Sequence, residues 1–214
     1  MKFETKVIHA GQEPDPRTGA VMTPIYATST YAQSSPGAHK GYDYARTRNP
    51  TRDALEACVA ELEGGKHGFA FASGMAAIGT VLELLDSGSH VVAMDDLYGG
   101  SYRILERVRK RSAALQPSFV DLSKTENLEA AIRPNTRMLW VESPTNPLLK
   151  LVDLEAVAAI ASRSTILRSG LVGVSTQTMR VLDVMAFSIA AAEVMSTNVA
   201  PMLAERLRTR SKIR

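Results

Sequence analysis

The sequence predicts an α/β fold in which a mostly parallel sheet is flanked by helices, and three observations point to it. Short apolar runs alternate with helix-like segments between residues 51 and 161. A hydrophobic content of 45% over 214 residues suits one sizeable packed core. Three polar clusters fall where the strands should end, which is where parallel sheets bind their ligands. They are Ser73-Gly74-Met75, the run from Asp95 to Gly100, and the run from Glu142 to Pro147.

Three regions follow along the chain. Residues 1–50 lack periodicity and are rich in Pro, Gly, Ser and Thr, as an extended arm with turns would be. Residues 51–161 form the first part of a ligand-binding α/β domain. TRDALEACVAELEG predicts a helix capped by Thr51, with Leu55, Cys58, Val59 and Leu62 on one face and Gly64 as its stop. GFAFAS predicts a short buried strand and MAAIGTVLELL a helix. HVVAMD is a strand, GGSYRILERVRKRSA a helix, and PSFVDL a strand. TENLEAAI is a helix, TRMLWVES a strand, and DLEAVAAIA a helix capped by Asp153. In the third region, residues 162–214, GLVGVST suggests a strand. MRVLDVMAFSIAAAEVM and APMLAERLRTR suggest helices.

That last region differs in composition. It holds eight basic and three acidic residues, a net of +5, which leaves −2 for residues 1–161. Its only aromatic residue is Phe187. The overall charge of +3 does not argue for nucleic acid, and the tail has neither aromatic interleaving nor a nucleic-acid motif. Cys58 has no partner for an internal disulfide. MKFETKVIHAG lacks the apolar core of a signal peptide, and Val181–Met195 is too short and too charged to span a bilayer. A cytoplasmic soluble protein is expected, with no membrane or nucleic-acid partner. His9, His39, His67 and His90 lack metal-ligand spacing, so no zinc site is expected.

The clusters can be read one residue at a time. Ser73, Gly74 and Met75 open a helix, whose bare N–H groups and dipole favour an anion, although an ordinary βα turn looks the same. No G-x-G-x-x-G is present, and Gly65-Lys66-His67 fails the P-loop pattern, which disfavours a nucleotide site. Tyr98 stands where a ring can lie over a planar ligand, or it is a loop tyrosine with its hydroxyl in water. Asn146, between two prolines, can donate to a ligand oxygen or simply shape its turn. Tyr44 and Arg46, two apart on an extended segment, would point the same way and suit a phosphate; a solvated arm is the alternative. Arg107, Arg109, Lys110 and Arg111 read as the solvated side of a helix.

Taken in order, TKVIHAGQ, TPIYATSTY, YDYARTRNPTRDALE, FASGMAA, DDLYGG and VESPTNP resemble the cysteine/methionine-metabolism family of pyridoxal-phosphate enzymes. Cystathionine γ-synthase, cystathionine γ-lyase and the homoserine sulfhydrylases belong to it. The resemblance covers residues 4 to about 160 and implies a fold-type I enzyme, here truncated. It implies γ-replacement or γ-elimination on a small amino-acid substrate with pyridoxal 5'-phosphate as cofactor. Ser73, Gly74 and Met75 would hold the cofactor phosphate, with Gly74 and Met75 giving backbone N–H groups. Tyr98 would stack on the ring and move protons, as the catalytic residue. Asn146 would hold the phenolic oxygen. Tyr44 and Arg46 would reach the phosphate of a neighbouring subunit, from an arm that packs on nothing of its own.

The same resemblance implies a Schiff-base lysine in a Ser-x-Thr-Lys-like turn and a carboxylate in an Asp-Asn-Thr-like strand end. Neither motif is present. Seven of the eight lysines precede the expected place, Lys212 lies in the basic end, and Asp183 falls in a helix-like run. An impaired enzyme is therefore expected, its reading frame or length changed after about Ala161. The alternative is a non-catalytic homologue that binds cofactor weakly or associates with full-length subunits. A truncated sheet also leaves apolar faces uncovered, so homo-oligomers or low solubility are expected.

Overall fold

The computed structural model describes residues 2–65, 67–111, 114–163, 171–175 and 186–188. Its centre is a five-stranded, wholly parallel sheet in the order β2-β1-β3-β4-β5. The strands are β1 (Ser89–Met94), β2 (Leu115–Val120), β3 (Thr136–Glu142), β4 (Leu171–Ser175) and β5 (Ala186–Ser188). The helices are α1 (Phe3–His9), α2 (Pro50–Leu62), α3 (Gly74–Leu82), α4 (Gly99–Arg103), α5 (Thr125–Ala131) and α6 (Leu154–Arg163).

Burial explains which strands are central. Every residue of β1 is buried, and β3 is buried from Met138 through Glu142, as parallel strands covered on both faces must be. Among the described residues β2 pairs only with β1 and is largely half-buried, so Pro117 sits on an edge strand, where its missing N–H is tolerated. From β1 the chain moves to β2 on one side and then returns to β3 on the other. The crevice between the carboxyl ends of β1 and β3 is thus a topological switch point, the usual ligand position in an open α/β sheet.

The expected strand–helix alternation is present, with local differences. GFAFAS forms no regular strand: Gly68–Ser73 runs irregularly, and the Ala70 N–H bonds the Glu56 carboxylate at 2.9 Å. The helix expected from Gly99 divides into α4 and a wider π-helical turn, Ile104–Arg109. Arg109 is not simply solvated, because its guanidinium is paired with Glu83. Asp153 caps α6 as expected, accepting the Ala156 N–H at 2.9 Å. GLVGVST contains β4. Ala186–Ser188, within a segment expected to be helical, is instead β5, because its backbone pairs in parallel with β4. The rest of that segment, including Asp183, and the helix expected over APMLAERLRTR lie outside the described residues.

The N-terminal arm differs most from expectation. It begins with α1, which packs on α2, and it is tied to α2 by several bonds. Tyr42 donates to Asp53 at 2.9 Å, Arg48 pairs with Asp53 at 3.0 Å, and the Tyr26 N–H bonds Thr51 Oγ1 at 2.9 Å. Thr51 therefore serves this tertiary link, and Asn49 is the N-cap, accepting the Thr51 N–H at 2.9 Å, with Pro50 as the first helical residue. Asn49 also donates to the Tyr26 carbonyl at 2.9 Å. Asn49→Ala is expected to lower folding stability by about 1–2 kcal/mol, read as a shift in the urea midpoint at constant slope. No change would mean that this cap is idle.

The face of α2 expected to be core is only partly covered. Leu55 is exposed, and Cys58, Val59 and Leu62 are half-buried. Ile25 and Met22 on the arm are 87% and 80% exposed, and Phe3 and Ile8 of α1 are also largely bare. Several large apolar side chains thus stand exposed at this end of the chain among the described residues.

Candidate functional site

The first wall is the start of α3. Ser73 is extended, and its Oγ accepts the Ala76 N–H at 3.2 Å, so the hydroxyl caps its own helix. The Ser73 carbonyl accepts from Ala76 and Ala77, while the Gly74 and Met75 N–H groups have no acceptor among the described residues. Two donors unpaired among the described residues, at the positive end of a nine-residue helix, have the chemistry to receive an anion.

The second wall is Tyr98, just beyond β1. Tyr98 is 48% exposed, and its ring lies beside Gly100. A Cβ built at Gly100 would lie 2.5 Å from Met75 Sδ and 2.5 Å from Tyr98 Cε1. The absence of a side chain at Gly100 thus leaves room for the Tyr98 ring and Met75 Sδ beside α4. The α3 turn and the β1-end loop converge at this point, as the topology required.

The third wall is the loop after β3. Glu142, the last residue of β3, is buried, and its two oxygens accept the Tyr98 N–H at 3.1 and 3.0 Å. Asp96 is also buried and accepts Thr145 Oγ1 at 2.5 Å and the Leu148 N–H at 2.8 Å. Thr145 Oγ1 in turn accepts the Lys150 N–H at 2.8 Å, closing the turn that presents Asn146. Asn146 is exposed, precedes a cis peptide to Pro147, and its amide makes no hydrogen bond among the described residues. Burial raises the Glu142 pKa above the ordinary carboxylate range and the charge of Asp96 adds to this, while the Tyr98 N–H opposes it.

Lys150 lies on the same loop as Asn146. Its ammonium contacts Asp95 at 2.8 Å and Asp121 at 3.2 Å. Hydrogen bonds to Asp95, and then to Asp121, raise its pKa, which keeps it protonated and unsuited to act as a nucleophile.

Ser73, Gly74 and Met75 therefore adjoin the Tyr98–Gly100 loop, and the bonds of Asp96 and Glu142 tie that loop to the turn that carries Asn146. Tyr44 and Arg46 do not join these residues through any bond or ring contact among the described residues. They also reach each other differently from the expectation of an extended segment. Residues 45–47 form a turn, with the Thr47 and Arg48 N–H groups on the Tyr44 carbonyl, and the Arg46 guanidinium lies 5.0 Å from the Tyr44 ring centroid.

Asp96, Gly100, Glu142 and Thr145 belong to the polar clusters, yet spacing alone gives them no role. The glycine pair after Tyr98 was the one available signal, and it does not say what Gly100 makes room for. Among the described residues no group of three His, Cys, Asp or Glu can hold a metal ion, and no helix is long and apolar enough to cross a membrane. Free N–H donors, a half-exposed ring and an unpaired amide around one crevice fit a flat ligand that carries a phosphate.

Residues 4–169 match the family described as Cys/Met metabolism PLP-dependent enzyme. The chain is 64% identical over 165 residues to a cystathionine beta-lyase of Coxiella burnetii, covering 77% of this chain and 43% of that protein. It is 53% identical over 167 residues to a cystathionine gamma-lyase of Bacillus subtilis, covering 78% of this chain and 44% of that one. It thus spans under half the length of these two curated relatives. Among solved structures, the metB protein of Corynebacterium glutamicum superposes with a TM-score of 0.84 at 36% identity, covering 100% of this chain and 59% of that one. The cystathionine gamma-lyase of Lactobacillus plantarum, solved with L-serine, gives 0.82 at 37% identity, covering 97% and 57%.

Proposed function

The chain belongs to the Cys/Met-metabolism family of pyridoxal-phosphate-dependent enzymes, and from that premise we propose that its switch-point crevice holds pyridoxal phosphate for carbon–sulfur chemistry on a small cystathionine-type amino acid. The observation that carries this reading is the pair of Gly74 and Met75 N–H groups, unpaired among the described residues, at the α3 start that adjoins the Tyr98–Gly100 loop. The expected γ-replacement or γ-elimination is widened to include β-cleavage, since a relative at 64% identity is named a beta-lyase.

Each residue has a distinct task. The Gly74 and Met75 amides hold the phosphate, aided by the α3 dipole, and Ser73 fixes that turn. Tyr98 stacks on the ring, and its hydroxyl holds or passes a proton near the substrate. The Asn146 amide donates to the ring's phenolic oxygen. The bound cofactor supplies an electron sink for charge developing at the substrate α-carbon. Tyr44 and Arg46 serve a second subunit's phosphate, either of another copy or of a full-length relative. The bare apolar surface of the arm and α1 supports that association. The proposed setting is the cytoplasm.

A second reading is favoured by Lys150. Its ammonium is locked between two carboxylates, and the sequence contains no Ser-x-Thr-Lys-like turn. On that reading the chain by itself holds the cofactor without a covalent link, and turnover is impaired or absent.

Equilibrium dialysis of purified chain against pyridoxal phosphate tests the binding claim, and borohydride treatment separates the two readings. Retained cofactor, weakened at least tenfold by a Gly74→Pro exchange that removes one N–H donor, is the expected result. No retention, alone or mixed with a full-length relative, would overturn the assignment. A borohydride-fixed lysine adduct would support the catalytic reading, and its absence the non-catalytic one.

A further inference from the structure

Two buried carboxylates at the switch point make contacts that the ligand reading does not use. Each is rooted at the end of one strand and grips the loop that follows the other. Asp96, after β1, holds Thr145 and Leu148 of the β3 loop. Glu142, ending β3, holds the Tyr98 N–H of the β1 loop with both oxygens. The grips differ in depth. Asp96 takes two donors, whereas Tyr98 N is the only donor on Glu142 among the described residues.

We propose that Glu142 is a positioning residue that sets the Tyr98 ring against Met75 and so fixes the height of the ring-stacking surface above the phosphate seat. The proposal rests on the cofactor reading above and assigns that site a residue which never touches the ligand.

Apart from Glu142, Tyr98 is held by the Tyr102 N–H on its carbonyl at 3.1 Å, a bond local to α4. Tyr98 opens α4, but its own side chain makes no capping bond. The ring lies beside the bare Cα of Gly100, with Met75 Sδ close to the same point. Neither neighbour is directional, so both restrain the ring from one side alone. The direction comes from the backbone, and the Tyr98 N–H is fixed by Glu142 at a residue that ends a buried strand. Without that acceptor the N–H turns toward water and the ring slides along Gly100. The phosphate seat does not depend on this bond, because α3 is capped within itself by Ser73.

The two halves of the site should therefore respond separately. Glu142→Met keeps a similar volume, removes a buried acid next to Asp96 and deletes the acceptor, so the sheet should still form. Glu142→Gln restores one acceptor oxygen. Dialysis of the full chain should show pyridoxal phosphate retained about tenfold less well by Glu142→Met and within about twofold of the original by Glu142→Gln. The inhibition constant of inorganic phosphate, measured by displacement of pyridoxal phosphate, should be the same in all three proteins. The induced circular dichroism of the bound cofactor should weaken in Glu142→Met, because the stacked ring no longer holds it in one orientation.

Three results would overturn the proposal. Equal retention by Glu142→Met would show that Tyr98 is placed by other contacts. Equal loss in both variants would mean that charge, and not the acceptor, matters. A parallel loss of phosphate competition would indicate general damage to the fold. An original chain that retains no cofactor sinks the underlying reading itself, a separate outcome seen before any variant is made.

Discussion

Gly100→Ala is expected to fold as well as the original chain, yet to retain pyridoxal phosphate about ten- to hundredfold less tightly, a cost of about 1.4–2.7 kcal/mol. The separation of the two effects follows from what the new methyl group would meet. Its nearest atoms are Met75 Sδ and Tyr98 Cε1, both 2.5 Å away, and both belong to side chains that can move. The backbone is not obstructed. Alanine is also favoured over glycine within a helix by about 0.5–1 kcal/mol, so α4 should not suffer. The whole cost falls on the site, where the ring must shift by about an ångström, an error of the size that disables a preorganised surface.

Dialysis measures the retention, and fluorescence of Trp140, the single tryptophan and fully buried, reports unfolding. Equal retention by Gly100→Ala would show that the Tyr98 ring does not form the stacking wall. A lowered unfolding midpoint would show instead that Gly100 serves the fold.

The second large effect lies at the opposite end of the sheet. His90 is fully buried at the start of β1, with Nδ1 2.7 Å from Thr136 Oγ1 and Nε2 2.9 Å from Ser118 Oγ. Burial, and secondarily the charge of Arg133, lowers its pKa from 6.5 to about 4. The Arg133 guanidinium also donates to Ser118 Oγ at 3.1 Å, which leaves the Ser118 hydroxyl free to donate its own hydrogen to Nε2 of a neutral imidazole. In the unfolded chain His90 takes up a proton near pH 6.5, whereas the folded chain resists it down to about pH 4. Between those values the unfolded state binds more protons, so stability falls as pH falls. The slope approaches 1.4 kcal/mol per pH unit, and the total loss approaches about 3 kcal/mol.

Urea unfolding followed by Trp140 fluorescence at several pH values tests this. His90→Gln should lose stability at pH 7, by about 1–2 kcal/mol, but should lack this component of the acid slope. Burial raises the pKa of Glu56, Glu63 and Glu142, which bends the curve the other way, so the difference between the two proteins is the informative quantity. Parallel curves would show that His90 takes up its proton alike in both states.

The sequence by itself determined the parallel α/β class, because apolar runs and helix signals are local and alternate at short spacing. It also determined the start of α3, since a serine cap followed by glycine at a helix start depends on neighbouring residues only. The six ordered motifs carried the family for the same reason. Tertiary structure decided the rest. Thr51 satisfies every local rule for an N-cap, yet a hydrogen bond from Tyr26 claims it and leaves the cap to Asn49. Tyr44 and Arg46 meet through a turn, not through strand alternation. Ala186–Ser188 is a strand because β4 offers it an open edge, which no local pattern reveals. Asp96 and Glu142 are spaced 46 residues apart in the sequence and become partners in one brace only when β1 and β3 lie side by side. Period and capping are properties of a few successive residues, whereas a grip between two strand ends exists only after the sheet has formed.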